Sequence, residues 1–153
     1  MMSLCSDVLT ALKGKTLVTA ESCTGGGIGA ALTAIPGSSE VYKGGVICYT
    51  NWVKNQVLKV DQSLLDTYGA VSAPVAEAMA IGARNVLQAD VAVSVTGLAG
   101  PGTDEFENPV GTVFVGYCGN RTKAVREFRF FGDRESVRTQ AVRAALDLIL
   151  EME

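Results

Sequence analysis

One segment of the sequence, residues 19–27, limits the fold more than any other, because it joins a strand-like stretch to a helix-like one. Residues 15–20 are typical of a short strand and residues 28–32 of a helix, with Ser22, Cys23, Thr24 and three glycines between them. The first N–H groups of a helix attract a phosphate, a carboxylate or a developing oxyanion, and glycine lets a ligand approach the backbone. We therefore expect an α/β fold that presents its chemistry at this junction.

Apolar spacing and turn residues predict the other elements. Leu4, Val8 and Leu12 recur at helical spacing, and Gly14 ends this first helix. Further helices are predicted at residues 28–34, 51–58 and 61–69, from residue 72 onwards and from residue 133 onwards. The predicted strands are residues 16–20, 41–49, 91–95, 110–118 and 123–131. A sheet of about five strands with helices on both faces accounts for this order, and the closing hairpin makes the sheet mixed.

Some residues are predicted to bend or cap these elements. Gly44-Gly45 indicates a bulge or a close backbone approach in the second strand. Asn51 is expected to cap the helix at residues 51–58, and Ser72 the next helix, which has Pro74 in its first turn. The residues expected on the buried face of that helix are Val75, Met79, Ala83, Val86 and Leu87.

The composition excludes several classes of function. The 153 residues suit one domain and contain no histidine, which excludes a Ser-His-Asp site, a Cys-His site and a histidine zinc site. The net charge of −3 comes without a block of like charge, which argues against a nucleic-acid partner. The four cysteines form no C-x-x-C pair, and no apolar run is long enough to span a membrane. These features favour buried free thiols in a cytoplasmic protein.

The glycine-rich turn has three interpretations. In the first, Ser22 or Thr24 only caps the helix, and the glycines allow close packing. In the second, Gly25-x-Gly27-x-x-Ala30 binds a dinucleotide, but such a site needs an acidic residue at the end of the second strand, where the sequence reads Cys48-Tyr49-Thr50-Asn51. In the third, Ser22 is a nucleophile beside an anion-binding helix terminus, with Cys23 as the competing nucleophile.

A serine nucleophile needs a general base, and without histidine a lysine of lowered pKa can provide it. Tyr49 and Lys54 follow the second strand, although taken alone they are also compatible with a packed aromatic and a solvated lysine. Thr96-Gly97 ends the third strand, and Gly100 lies in the turn after it. Because ligands of open α/β sheets bind outside the carboxyl ends of strands, we expect these strand ends to share one site.

Several blocks of the sequence resemble the signature of the CinA C-terminal domain family, in the family's order and over about the whole chain. These blocks are Ala20-Glu21-Ser22-Cys23-Thr24-Gly25-Gly26, Pro36-Gly37-Ser38-Ser39, Tyr49-Thr50-Asn51-x-x-Lys54, Gly69-Ala70-Val71-Ser72, Val95-Thr96-Gly97-x-Ala99-Gly100-Pro101-Gly102 and Pro109-Val110-Gly111-Thr112-Val113. One departure is the loop at residues 103–108, which is acidic and contains a phenylalanine. Members of the family often have a glycine-rich stretch and a lysine there.

The resemblance implies a three-layer α/β/α sandwich and nicotinamide-nucleotide amidase activity, which serves pyridine-nucleotide salvage. The reaction converts nicotinamide mononucleotide and water to nicotinate mononucleotide and ammonia. Residues 1–153 leave no room for the molybdopterin-binding-like domain of longer members, so the chain resembles the stand-alone form. The resemblance also suggests a homodimer, and the chemistry requires no metal or cofactor. The alternatives are an amidase for a different substrate and a non-catalytic nucleotide-binding or interaction module of the same fold.

The implied roles can be placed on individual residues. Ser22 would attack the carboxamide, and Lys54, together with Tyr49, would act as the base. N–H groups of one glycine-rich turn would stabilise the oxyanion, and the other turn would face the phosphate. Arg134 and Arg138 would either bind the phosphate or lower the pKa of Lys54. The predicted substrate-binding residues are Thr24, Gly25, Gly26, Asn51, Thr96, Gly97, Gly100, Arg134 and Arg138.

Overall fold

A mixed five-stranded sheet forms the middle layer of the computed structural model, which describes residues 1–153. The strands are β1 (Leu17–Glu21), β2 (Tyr42–Ile47), β3 (Val91–Gly97), β4 (Thr112–Cys118) and β5 (Lys123–Arg129). Their order in the sheet is β2-β1-β3-β4-β5. The first three strands are parallel, whereas β4 runs antiparallel to β3 and to β5. The mixed sheet expected from the closing hairpin is confirmed.

Helices cover both faces of this sheet. They are α1 (Met2–Ala11), α2 (Gly27–Thr33), α3 (Asn51–Gln56), α4 (Gln62–Tyr68), α5 (Ala73–Leu87) and α6 (Arg134–Met152), with a 3₁₀ turn at Ser38–Glu40. One core lies between the sheet and α1, α2 and α6, and a second lies between the sheet and α4 and α5. The predicted α/β/α sandwich is confirmed.

Side-chain alternation along the central strands explains why two cores form. Val91 and Val93 of β3 belong to the core beneath α6, and Ala92 between them belongs to the core beneath α5. Ser94 also faces α5, where its hydroxyl donates to the carbonyl of Ala76 at 2.6 Å. Because successive residues of a strand point to opposite faces, a strand covered on both faces is apolar almost throughout.

The bulge predicted for the second strand is present. Leu17 pairs with Tyr42 and Val18 with Gly44, so Lys43 is the extra residue. A Cβ at Gly45 would lie 2.2 Å from the hydroxyl oxygen of Thr19, which leaves room only for glycine. The glycine pair therefore allows β2 to pack closely against β1.

Two local predictions were wrong. Thr50, not Asn51, is the N-cap of α3, since Thr50 has an extended backbone and its hydroxyl accepts from the N–H of Val53. Val86 is 44% exposed and does not belong to the buried face of α5. An α-helix turns by about 100° per residue, so the side chain of Leu87 points about 40° to one side of the buried Ala83 and that of Val86 about 60° to the other side. Leu87 packs against the core and continues the buried face.

Ser72 stands at the predicted N-cap position of α5, but its hydroxyl makes a different bond from the one expected of a cap. It donates to the carbonyl of Gly69 at 2.8 Å and accepts no N–H of the helix.

The four cysteines are free and buried, as predicted. None of the helices combines the length and apolar character that a membrane-spanning helix needs.

Candidate functional site

Ser22 lies directly after β1, at the carboxyl end of the parallel part of the sheet. Its N–H donates to the carbonyl of Val95 at 2.9 Å, which holds the residue against the end of β3. Gly25 and Gly26 then take positive φ angles of 59° and 101°, and α2 begins at Gly27. These left-handed residues turn the chain sharply from strand to helix, and Ser22 remains at the sheet edge.

Lys54 meets Ser22 from the neighbouring strand end. The lysine lies on α3, which the Thr50 cap starts just beyond β2. Its Nζ donates to Ser22 Oγ at 3.0 Å, to the carbonyl of Cys48 at 2.8 Å and to that of Tyr49 at 3.4 Å. The side chain is 1% exposed. A lysine and a serine are therefore in hydrogen-bond contact in a nearly dry environment, as a serine–lysine dyad requires.

Burial sets the protonation behaviour of this pair. It lowers the pKa of the Lys54 amine below its usual value, and the nearby Cys48 and Cys23 act in the opposite direction without reversing it. Desolvation, rather than Arg134 or Arg138, therefore accounts for the lowered pKa. Burial also raises the pKa of the Cys23 thiol to about 11, which keeps that thiol protonated near neutral pH. The arrangement favours Ser22 over Cys23 as nucleophile.

Glu21 is a structural residue of the site that the sequence analysis did not single out. It is 2% exposed, and its carboxylate accepts from the N–H groups of Ile28 at 2.8 Å and Gly29 at 3.0 Å. The hydroxyls of Thr24 and Thr19 donate to it at 2.7 and 3.3 Å. The sequence did contain a signal for this role, because Glu21 is an acidic residue immediately after the predicted first strand and precedes Ile28, at the start of the predicted helix, by seven residues.

The Glu21 carboxylate changes which N–H groups can bind a substrate anion. Because it already occupies the start of α2, the helix terminus is not free in the way the glycine-rich motif suggested. The N–H groups of Cys23 and Thr24 donate to no backbone carbonyl. The same is true of Ala99 and Gly100 in the turn after β3. These groups are therefore candidate donors for an oxyanion or a phosphate.

Glu21→Ala is expected to lower the free energy of unfolding by about 2–4 kcal/mol, because it leaves two helix N–H groups and the Thr24 hydroxyl buried without an acceptor. Urea unfolding followed by circular dichroism measures the loss. Glu21→Gln keeps one acceptor oxygen and should lose less. Glu40→Ala, at an exposed acidic position, is the matched control and should change stability by less than about 0.5 kcal/mol. Equal stability of the Glu21→Ala variant and wild type would contradict this role.

A cavity of about 640 Å³ opens above the dyad. The predicted site residues among its lining are Ser22, Lys54, Tyr49, Asn51, Thr96, Gly97, Gly100 and Arg134. Arg134, at the start of α6, donates to the carbonyl of Gly100 at 2.6 Å and to the Tyr49 hydroxyl at 3.1 Å. The hydroxyl of Thr96 donates to the carbonyl of Ala70 at 2.7 Å. The structure thus brings the carboxyl ends of three strands and the first turn of α6 to one cavity.

The other predicted substrate-binding residues do not line this cavity. Thr24 is buried with its hydroxyl on Glu21, and Gly25 and Gly26 form the turn behind Ser22. Arg138 donates to the carbonyls of Cys23 at 3.0 Å and Thr24 at 3.2 Å. These four residues hold the turn in place, and their direct contact with substrate stays a prediction.

The cavity also has walls that the sequence analysis missed. One comes from the end of α4 and the turn after it, with Leu65, Gly69, Ala70 and Val71. The other comes from the acidic loop, of which Asp104, Glu105 and Phe106 reach the cavity. Gly69, Ala70 and Val71 belong to a block that resembles the family signature, but the sequence did not place that block at the cavity. Its position depends on how α4 and the loop pack together.

Comparison with known proteins identifies the family. The family model of the CinA C-terminal domain matches residues 2–152. A CinA-like protein of Parasynechococcus marenigrum (strain WH8102) is 52% identical over 151 residues, which cover 95% of this chain and 36% of that protein. A CinA-like protein of Mycobacterium avium (strain 104) is 46% identical over 143 residues, which cover 90% of this chain and 33% of that protein. The chain thus spans about a third of the length of these curated relatives.

Solved structures with the same fold include two proteins named for competence or damage. Competence damage-inducible protein A from Klebsiella pneumoniae superposes with a TM-score of 0.95 at 36% identity, covering 98% of this chain and 94% of that one. Competence/damage inducible protein CihA from Agrobacterium tumefaciens superposes with a TM-score of 0.94 at 40% identity, covering 98% of this chain and 93% of that one. With the family model matched over nearly all residues, this chain belongs to the CinA C-terminal domain family.

Proposed function

We propose that the protein is an amidohydrolase that converts nicotinamide mononucleotide to nicotinate mononucleotide and ammonia. The observation that carries the proposal is the 3.0 Å contact between Lys54 Nζ and Ser22 Oγ at the base of the cavity. The lowered pKa of Lys54 supports a lysine that serves as a base rather than as a fixed cation. The resemblance to the CinA C-terminal domain family supplies the substrate.

In the first half of the reaction, Ser22 Oγ attacks the carboxamide carbon. Neutral Lys54 has two N–H bonds and one lone pair, and the carbonyls of Cys48 and Tyr49 can take the two N–H bonds. The lone pair is then directed at Ser22 and accepts its proton during the attack. The N–H group of Cys23, or those of Ala99 and Gly100, stabilise the oxyanion that forms, since these three residues line the cavity.

In the second half, the intermediate loses ammonia and water completes the hydrolysis. Protonated Lys54 returns its proton to the departing nitrogen, the C–N bond breaks, and an ester of Ser22 remains. Water then attacks this ester with Lys54 again as base, and the carboxylate product leaves with Ser22 restored. Tyr49, held by Arg134 at the cavity wall, is the second candidate for proton transfer.

Release of ammonia tests the proposal. Purified protein should release ammonia from nicotinamide mononucleotide, and much less from free nicotinamide or glutamine. Binding of nicotinamide mononucleotide without ammonia release would instead indicate a non-catalytic nucleotide-binding module. Faster turnover of glutamine or another amide would mean that the amidase chemistry is correct and the substrate is not.

Activity is expected to survive prolonged treatment with a strong chelator. The chain has no histidine, and no three Cys, Asp or Glu side chains come together as a ligand set. The serine scheme needs no divalent ion. The measurement is the rate of ammonia release before and after dialysis against the chelator. Complete loss that zinc or magnesium restores would contradict the scheme.

A further inference from the structure

The loop at residues 103–108 is a fixed wall of the cavity. The Asp104 carboxylate accepts from the N–H groups of Phe106 at 3.2 Å and Asn108 at 3.0 Å, and from the Asn108 side-chain amide at 2.8 Å. The same amide donates to the carbonyl of Val71 at 3.2 Å, which ties the loop to the segment between α4 and α5. These hydrogen bonds fix the Asp104 carboxylate in place within the loop.

Phe106 presents an aromatic surface to the same cavity. A Cβ at Gly69 would lie 2.5 Å from Cδ2 of the phenylalanine ring, so the ring rests directly on the glycine backbone. The ring is still 39% exposed, and it lines the cavity. An exposed aromatic ring fixed on a backbone offers a stacking surface for a flat cationic ligand.

The charges along the cavity favour a cation over an anion. Besides Lys54, which is neutral when it acts as base, the charged residues of the lining are Arg134, Asp104 and Glu105. Glu105 is exposed and forms neither an ion pair nor a hydrogen bond within the protein. The lining therefore carries one guanidinium and two carboxylates, and the carboxylates offset part of the attraction that Arg134 offers to a phosphate.

We propose that Glu105 and Phe106 recognise the positively charged pyridinium ring of an N-ribosylated nicotinamide, and that the phosphate contributes little to recognition. The substrate class is then the cationic pyridinium ribosides, with or without a 5′-phosphate. Phe106 stacks on the charged ring, and Glu105 supplies the opposing charge at the rim. Free nicotinamide, whose ring is uncharged, gains neither interaction. This inference rests on the proposed amidase function and specifies its substrate range.

The test compares nicotinamide mononucleotide with its phosphate-free nucleoside. At low ionic strength, wild-type kcat/KM for the nucleoside should lie within about tenfold of that for the nucleotide. Glu105→Gln should raise the ratio of kcat/KM for the nucleotide to kcat/KM for the nucleoside by about threefold, and Glu105→Lys should raise it by about tenfold. Glu107→Gln, in the same loop but outside the cavity lining, is the matched control and should leave the ratio unchanged. Phe106→Leu should lower kcat/KM for both cationic substrates by about threefold or more.

Calorimetric titration of the same variants with both ligands separates this inference from the amidase proposal. The ratio of the two Kd values should move with Glu105 as the kinetic ratio does, whether or not ammonia is released. An unchanged ratio in Glu105→Lys, or a wild-type preference for the nucleotide above a thousandfold, would overturn the inference and leave the amidase function standing. Binding of both ligands without ammonia release would overturn the amidase function, and the Kd ratios would still decide the role of Glu105.

Discussion

Ser22→Ala is expected to reduce the turnover of nicotinamide mononucleotide by on the order of 10⁴-fold or more, because no acyl-enzyme can form without the hydroxyl. Ser22 is held in place by its backbone bond to Val95, which alanine keeps. The variant should therefore retain the fold and much of the ground-state binding. Steady-state ammonia release measures the activity, and circular dichroism with ligand titration checks fold and binding.

Cys23→Ala is the matched control for this experiment. Its thiol is buried next to the nucleophile and has a raised pKa of about 11, so it is a poor nucleophile near neutral pH. The variant should keep near-wild-type activity. Activity lost in Cys23→Ala and kept in a folded Ser22→Ala variant would reverse the assignment of the nucleophile.

Lys54→Met is expected to lower kcat by about 10³-fold, since methionine fills a similar volume but cannot accept the proton of Ser22. Lys54→Arg should be similarly impaired, because a guanidinium keeps the positive charge and the donors but does not deprotonate. If Lys54 only provided a fixed positive charge, the arginine variant would keep most of the activity. The free energy of unfolding is measured in parallel, because the Cys48 carbonyl loses its donor in the methionine variant.

The pH profile provides a second readout for Lys54. The amine acts as a base only when neutral, so kcat/KM should rise with pH as Lys54 loses its proton and fall as pH drops below the pKa of Lys54. Burial lowers this pKa below 10.5, which moves the rising limb of the profile towards neutral pH. This limb should disappear in Lys54→Met. In Lys54→Ala, which leaves the volume of the lysine side chain empty, small amines added to the assay should restore part of the rate. If Lys54→Met left kcat unchanged, Tyr49 would be the next candidate for the base.

Local sequence was enough to predict the strand–turn–helix unit that places Ser22. The β-type run ending at Ala20, the glycines after Thr24 and the apolar spacing that follows are short-range signals, and they predict β1 and α2 with small errors at their ends. The rule that strand carboxyl ends share one edge of a parallel sheet also predicted that Lys54 and Gly100 would lie near Ser22. The structure places all three at one cavity.

Long-range packing decided what the short-range signals could not. The sequence left Lys54 as either a solvated or a buried lysine, and its 1% exposure results from α3 lying against the ends of β1 and β2. Burial and hydrogen bonding of a charged side chain depend on atoms from several elements, so no local pattern encodes them.

Arg134 and Arg138 illustrate the same limit. They are four residues apart on α6 and point about 40° from each other around the helix, so the sequence treats them as equivalent. In the structure, Arg134 reaches the cavity and Tyr49, whereas Arg138 holds the carbonyls of Cys23 and Thr24. The distinction depends on where α6 lies over the sheet, which is fixed by its buried side chains packing with α1, α2 and β3. The sequence determined that two arginines start this helix, and tertiary packing determined that only one of them faces the cavity.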